Sequence, residues 1–337
     1  MGSGPFRNSV SVDSLPGGSF PRDFACGFPG DSPAELELPM SLTVTLLGTG
    51  SPMPAPDRAG PATLISAGEG ADAEHYLVDA GRGVLMRLAA CGLGAPNLAA
   101  VLITHLHSDH ITDLNDVITT RWVMTFEKTP LTIVGPVGTK AVVDHILASL
   151  DPDIEYRLAH HEDLDHRPPV TVIEVTEGVL DLPGGVIITC GQTDHKPVEP
   201  SIGFRFDYRS DAGVASVVAA GDTVPCAGLD ALCEGANALV HTVIRKDIIA
   251  NVPLQRMQDT LDYHSSPEEA AQTAAKAGLD TLIYTHYVPP MPVSGSAEDW
   301  RALGAAHFGG TIEVGDDLHT VIISPSPSNH VERKKPA

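Results

Sequence analysis

Positive charge is scarce in this 337-residue chain: Lys and Arg number 21 against 43 Asp and Glu, a formal net charge of −22. A surface of that sign repels polyanions at long range, so nucleic acid is disfavoured as a partner. The one local exception, Arg333-Lys334-Lys335, reads as part of a flexible solubilising tail. Cysteine is nearly as sparse. The five present (Cys26, Cys91, Cys190, Cys226, Cys233) are odd in number and include no CxxC pair, which argues against a disulfide framework and for a reducing compartment. No apolar run approaches the length of a membrane span, and no charged segment followed by an apolar one opens the chain. The reading is a cytoplasmic protein with no membrane partner.

What is present is an alternation of strands and helices. Residues 1–40 are rich in Gly, Pro and Ser with little periodicity; they read either as an extended arm, packed on the domain or on a partner, or as disorder. Order begins at the alternating strand Leu42–Leu47, passes Gly48-Thr49-Gly50-Ser51-Pro52, and continues through strands at Thr63–Ile65 and Tyr76–Val78. The Gly-rich turn has neither G-x-G-x-x-G spacing nor a P-loop lysine, so it gives little support to a phosphate cradle. A helix is predicted over Val84–Cys91, a buried strand over Ala100–Ile103 and one helix over Ile111–Met124. Strand Leu131–Val134, helix Thr139–Leu150 and strand Val170–Val175 follow. Further strands are predicted at Val186–Cys190, Ser201–Phe206, Ser216–Ala220, Ala238–Val240 and Thr281–Tyr284. With 42% hydrophobic residues, one large domain is predicted over 41–325, with 326–337 as a tail.

Several of these strands stop abruptly at His or Asp. Ala100–Ile103 runs into Thr104-His105-Leu106-His107-Ser108-Asp109-His110, a turn that can aim alternate side chains at two different ions. Imidazole nitrogen and carboxylate oxygen are zinc donors. His195, Asp222 and His286 also follow apolar strands, and in layered α/β folds the strand ends of one edge converge on one crevice. We therefore assign His105, His107 and His195 to one Zn2+, Asp109, His110 and His286 to another, and Asp222 to the bridge, with Mn2+ or Fe2+ as alternatives. Hydroxide held between two such cations is a nucleophile at neutral pH, and the implied reaction is hydrolysis. Asp79 either fixes the tautomer of a metal-binding histidine or forms an Asx turn. The stretch His160-His161-Glu162-Asp163-Leu164-Asp165-His166 is launched by no strand and reads as a solvated loop. His241 reads as a buried or supporting residue.

From Leu42 to about Pro290 the landmarks resemble the ribonuclease Z-like and arylsulfatase-like branch of the metallo-β-lactamase superfamily. They are Leu47-Gly48-Thr49-Gly50-Ser51-Pro52, Val78-Asp79-Ala80-Gly81, the Thr104–His110 stretch, Gly221-Asp222-Thr223, His264-Ser265-Ser266-Pro267-Glu268-Glu269-Ala270 and Tyr284-Thr285-His286-Tyr287. The resemblance implies an α/β fold of four layers, an αβ/βα sandwich with the metals at one edge, and a homodimer. It also places His264 at the site, ahead of a helix that Ser266 can cap and Pro267 can open. An imidazole there can protonate a leaving oxygen or bind a developing oxyanion. Asp109 and His264 are the candidate catalytic residues.

Three departures bear on the substrate. The interval from Lys196 to Gly221 has no room for the basic arm with which ribonuclease Z-like enzymes grip tRNA. Thr242 stands where a glutamate often follows the histidine equivalent to His241, and Asp113 where glycine is common. With the acidic surface, they favour a small-molecule ester, phosphodiester or sulfate ester as substrate. The alternatives are a ribonuclease Z-like tRNA 3′ endonuclease, a lactonase and, outside the enzymes, a catalytically idle metal-binding scaffold.

Overall fold

The computed structural model describes residues 41–325; the arm expected over 1–40 and the tail over 326–337 lie outside them. The first half runs β1 (Leu42–Gly48), β2 (Ala62–Ala67), β3 (Glu74–Val78), α1 (Val84–Ala90), β4 (Leu98–Leu102), α2 (Ser108–Ile111) and α3 (Leu114–Met124). It closes with β5 (Leu131–Gly135), α4 (Thr139–Ser149), α5 (Asp151–His160) and β6 (Val170–Glu174). The second half runs β7 (Gly178–Val179), β8 (Val186–Gln192), β9 (Ile202–Ser210), β10 (Gly213–Ala219), α6 (Ala227–Cys233) and β11 (Ala238–Ile244). Then come α7 (Lys246–Ile249), α8 (Gln255–Asp259), α9 (Pro267–Ala277), β12 (Thr281–Val288), α10 (Ala297–Ala305), β13 (Thr311–Val314) and β14 (His319–Ile323).

Two seven-stranded sheets result, ordered β14-β1-β2-β3-β4-β5-β6 and β13-β12-β11-β10-β9-β8-β7. Each is mixed. β3 to β6 are parallel in the first and β10 to β13 in the second, with antiparallel strands completing both. Period-two alternation explains the layering, because successive side chains leave opposite faces of a strand. Tyr76, Val78, Ala100 and Leu102 point into a core shared with Phe204, Phe206, Val217, Ala219 and Ile283 of the other sheet. Their neighbours Leu77 and Val101 turn outward to meet Val84, Leu88, Val117 and Val143 of the helices. On the far side Val218, Leu239 and Leu282 pack against Leu229, Ala270, Ala274 and Trp300. The order helix, sheet, sheet, helix is the αβ/βα sandwich implied by the resemblance.

The single helix expected over Ile111–Met124 is instead two. The chain breaks at Thr112 and Asp113 because Asp113 is held by tertiary bonds: its Oδ2 accepts the Gly83 N–H at 2.5 Å and its own N–H donates to Ala80 O at 3.0 Å. Two further differences concern strand ends. His241 and His286 lie inside β11 and β12, which run past the predicted stops. The stretch from His160 begins as the last residue of α5 and continues as exposed turns, tied down where the Trp122 Nε1–H donates to His166 O at 3.0 Å. Among the described residues no helix is long and apolar enough to cross a membrane.

Candidate metal centre

Two glycines let the loops at one edge of the sandwich close on each other. A Cβ on Gly81 would stand 2.7 Å from Asp109 O, and one on Gly221 would stand 2.7 Å from the Thr104 side chain, with Gly221 also at a φ of +67°. Only glycine fits both demands. The turn after β4, the loops after β8 and β10, and the end of β12 thereby meet.

The structure brings together all seven residues to which a metal role was assigned, and His264 with them. His105, His107, His195 and Asp222 form one group able to hold an ion, Asp109, His110 and His286 a second, and Asp222, His264 and His286 a third; within each, the ligand atoms lie no more than 4.8 Å apart. Asp222 is the hub. Its Oδ2 stands 3.2 Å from His264 Nε2, 3.4 Å from His110 Nε2, 3.5 Å from His286 Nε2, and 3.9 Å from both His105 Nε2 and His195 Nε2. Asp109 Oδ2 lies 3.3 Å from His286 Nε2 and 3.6 Å from His110 Nε2. His264, expected at the site, brings its Nε2 to the central carboxylate.

Hydrogen bonds on the outer side decide which ring nitrogens face inward. A carbonyl or carboxylate only accepts, so its histidine partner carries a proton there and turns the other nitrogen inward. His110 Nδ1–H donates to Asp79 Oδ2 at 2.7 Å, His195 Nδ1–H to Tyr263 O at 2.8 Å and His264 Nδ1–H to Thr260 O at 3.1 Å. Asp79 also accepts the Thr104 N–H at 2.8 Å and its hydroxyl at 2.9 Å. The Thr104 oxygen is then free to accept His105 Nδ1–H at 3.1 Å. Asp79 thus holds both the turn and a histidine, rather than only turning the chain. His241 is buried, bonded through Nδ1 to Thr242 O at 2.8 Å, and belongs to none of the three groups.

These inward atoms fit cations. His107 Nδ1 is 3.0 Å from His105 Nε2 and 3.2 Å from His195 Nε2, close to the roughly 3.3 Å edge of a tetrahedron drawn about zinc with bonds of about 2.0–2.1 Å. His110 Nε2 and Asp222 Oδ1 are buried without a hydrogen-bond partner, a costly state that coordination would relieve. Charge is arranged to match. Burial holds His105 well below the ordinary imidazole value, lowers His107 and takes His195 down to about 4. At His110 and His286 burial acts the same way, but Asp222, joined by Asp79 and Asp109 respectively, pushes both up, His110 well above. Burial opposes ionisation of Asp222 as well; His286 and His110 outweigh it and hold this carboxyl well below the usual range.

Fold and cluster together define a metal-dependent hydrolase of ester bonds with a dinuclear site. The chain belongs to the β-lactamase superfamily, among the ribonuclease Z proteins. The family described as Beta-lactamase superfamily domain matches residues 74–287. A protein named Ribonuclease Z from Mycobacterium avium (strain 104) is 58% identical over 282 residues, covering 83% of this chain and 98% of its own. Among solved structures, the metallo-β-lactamase fold protein YhfI from Bacillus subtilis superposes with a TM-score of 0.61 at 23% identity, over 84% of this chain and 99% of that one. Human tRNase Z, short form, superposes with 0.59 at 23% identity over the same shares. At that identity the two structures show the fold alone.

The relatives correct one expectation. Proteins 58% identical to this chain are named for acting on RNA, which overturns a small-molecule ester as partner and nucleic acid as disfavoured. The physical reason lies in range. Salt screens exposed charges beyond about 10 Å, so a net count of −22 says little about the rim of a site that gathers dications. The missing basic arm does not discriminate either. Here β9 and β10 fill that interval, and a chain aligned over 98% of its length bears the name.

Proposed function

We propose that this protein is a dinuclear zinc phosphodiesterase that cleaves RNA as a tRNA 3′ endonuclease. The observation that carries the RNA substrate is the 58% identity, over 98% of its length, to a protein named Ribonuclease Z. In this reading His105, His107 and His195 would hold one ion, Asp109, His110 and His286 the other, and Asp222 would serve both. Zinc suits the nitrogen-rich donor set, with Mn2+ or Fe2+ as the alternatives. Two such cations, when bound, supply Lewis acidity to the scissile phosphate and bring the pKa of a water to about 7.

The chain's own groups do the rest. Asp109, aimed at His286 and His110, keeps a negative charge beside the reacting centre. His264 has its Nδ1 proton committed to Thr260 O and its Nε2 facing Asp222 Oδ2 at 3.2 Å. That Nε2 is the ring atom placed to pass a proton to the leaving oxygen, the work of a general acid. The same reading places the protein in the cytoplasm as a homodimer, which light scattering of the purified chain checks.

Incubation of the zinc-loaded protein with a precursor tRNA carrying a 3′ trailer tests the proposal. Cleavage at the trailer junction is expected. Asp222→Ala should lose metal occupancy and cleavage together, and His264→Ala should keep two ions per chain while slowing turnover by roughly 100-fold or more. An intact precursor with fully loaded wild-type protein would refute the RNA reading.

A further inference from the structure

The metal-centre histidines are not all held alike. His105, His110, His195 and His264 each have the outward ring nitrogen bonded to the protein, whereas His286 Nδ1 is buried without a partner. His286 also sits at a φ of +59°, a left-handed conformation that is disfavoured for a non-glycine residue and persists only where its surroundings enforce it. Its orientation therefore depends on what grips the backbone on either side.

That grip comes from a turn remote in sequence. Tyr287 N–H, next to His286, donates to Thr49 O at 3.1 Å, and the Tyr287 hydroxyl donates to Gly315 O at 3.1 Å. Thr49 is in turn fixed by Asp317, whose Oδ1 accepts the Thr49 N–H at 2.9 Å and its hydroxyl at 2.8 Å. The other oxygen of Asp317 accepts Ala59 N–H at 2.6 Å and Arg87 Nε–H at 2.9 Å. One carboxylate with a side chain only 4% exposed thus satisfies four donors from three segments. Arg58, which donates to Thr49 Oγ1 at 2.5 Å and to Asp316 at 2.5 Å, lies 5.2 Å over the Tyr287 ring. Thr49, Arg58 and Gly315 enclose Tyr287, and Asp317 or its turn holds each of them.

We propose that Asp317, in the turn between β13 and β14, is a positioning residue that fixes His286 for metal binding through Thr49 and Tyr287. The proposal rests on the reading that His286 holds one of the two ions. It touches no reacting atom. A backbone clamp replaces the ring hydrogen bond that steadies His105, His110, His195 and His264, and losing an outer partner of a ligand typically weakens metal binding 10- to 100-fold.

Equilibrium dialysis of metal-stripped protein against Zn2+ tests this, with circular dichroism confirming the fold. Asp317→Ala is expected to weaken one of two binding events roughly 10- to 100-fold and to leave the other unchanged. His286→Ala should remove that same event. Thr49→Val, which keeps the backbone carbonyl but loses the hydroxyl that Asp317 holds, should weaken it in the same direction and is the deciding variant if Asp317→Ala does not fold. A folded variant of either kind with two wild-type binding events would overturn the positioning role. Two undiminished events in His286→Ala would instead overturn the ligand assignment beneath it.

Discussion

Within the cluster, two sets of histidines differ in the proton they carry before a metal arrives. Burial keeps His105, His107 and His195 neutral at pH 7, with their inward nitrogens already available. Burial works the same way on His110 and His286, but Asp222 and the neighbouring carboxylates raise both, His110 well above the ordinary value, which favours the protonated ring there in the metal-free site. A cation must expel those protons, because only the neutral ring is a ligand. Calorimetric titration with Zn2+ at pH 7 in buffers of different ionisation enthalpy should show one event with proton release and one nearly without. The releasing event should weaken as pH falls and be absent from His286→Ala. Equal proton release in both events would contradict the asymmetry.

Among the elements, α9 shows how local sequence places a site residue. Ser266 Oγ accepts the Glu269 N–H at 3.3 Å, and Glu269 Oε2 accepts the Ser266 N–H at 2.8 Å, with Pro267 in the first turn. This capping box fixes where the helix starts and hence where His264 and Ser265 leave it. Ser265 Oγ–H then reaches Thr223 O at 2.8 Å, beside Asp222. Ser266→Ala should lower unfolding free energy by about 1 kcal/mol in urea titration while leaving two ions per chain, since every assigned ligand lies on another element. That cap was readable in the sequence, as were the strands with period-two patterning and the histidine turn they launch. The break between α2 and α3 was not, because it is set by the Asp113 bond to Gly83, 30 positions away. Nor was the role of Asp317, whose bonds to Thr49 span 268 positions. Local pattern carries propensity and burial; it carries no record of which distant donor a carboxylate will find.

For the molecule as a whole, the metal centre joins the two sheets along one edge. His105, His107, Asp109 and His110 follow β4 of the first sheet, while His195, Asp222 and His286 belong to the second. Ligands that bind only the folded state stabilise it by about 2.7 kcal/mol per site at a hundredfold excess over Kd. Chelation should therefore lower Tm by roughly 10 °C for a domain of this size. The loss should also depend on pH. In the metal-free protein, protonated His110 and His286 take over part of the role of the cations against Asp222. A histidine whose folded pKa is raised contributes stability fully below its unfolded value of 6.5, and that contribution fades as pH rises through the folded value. Metal-free protein should thus keep this substitute at low pH and lose it progressively as pH rises through the raised values, whereas zinc-loaded protein does not depend on it. Differential scanning calorimetry with and without chelator should find the gap in Tm wider at pH 9 than at pH 6. A gap that narrowed toward high pH would mean that the imidazolium-to-Asp222 contacts do not bridge the sheets when the ions are gone.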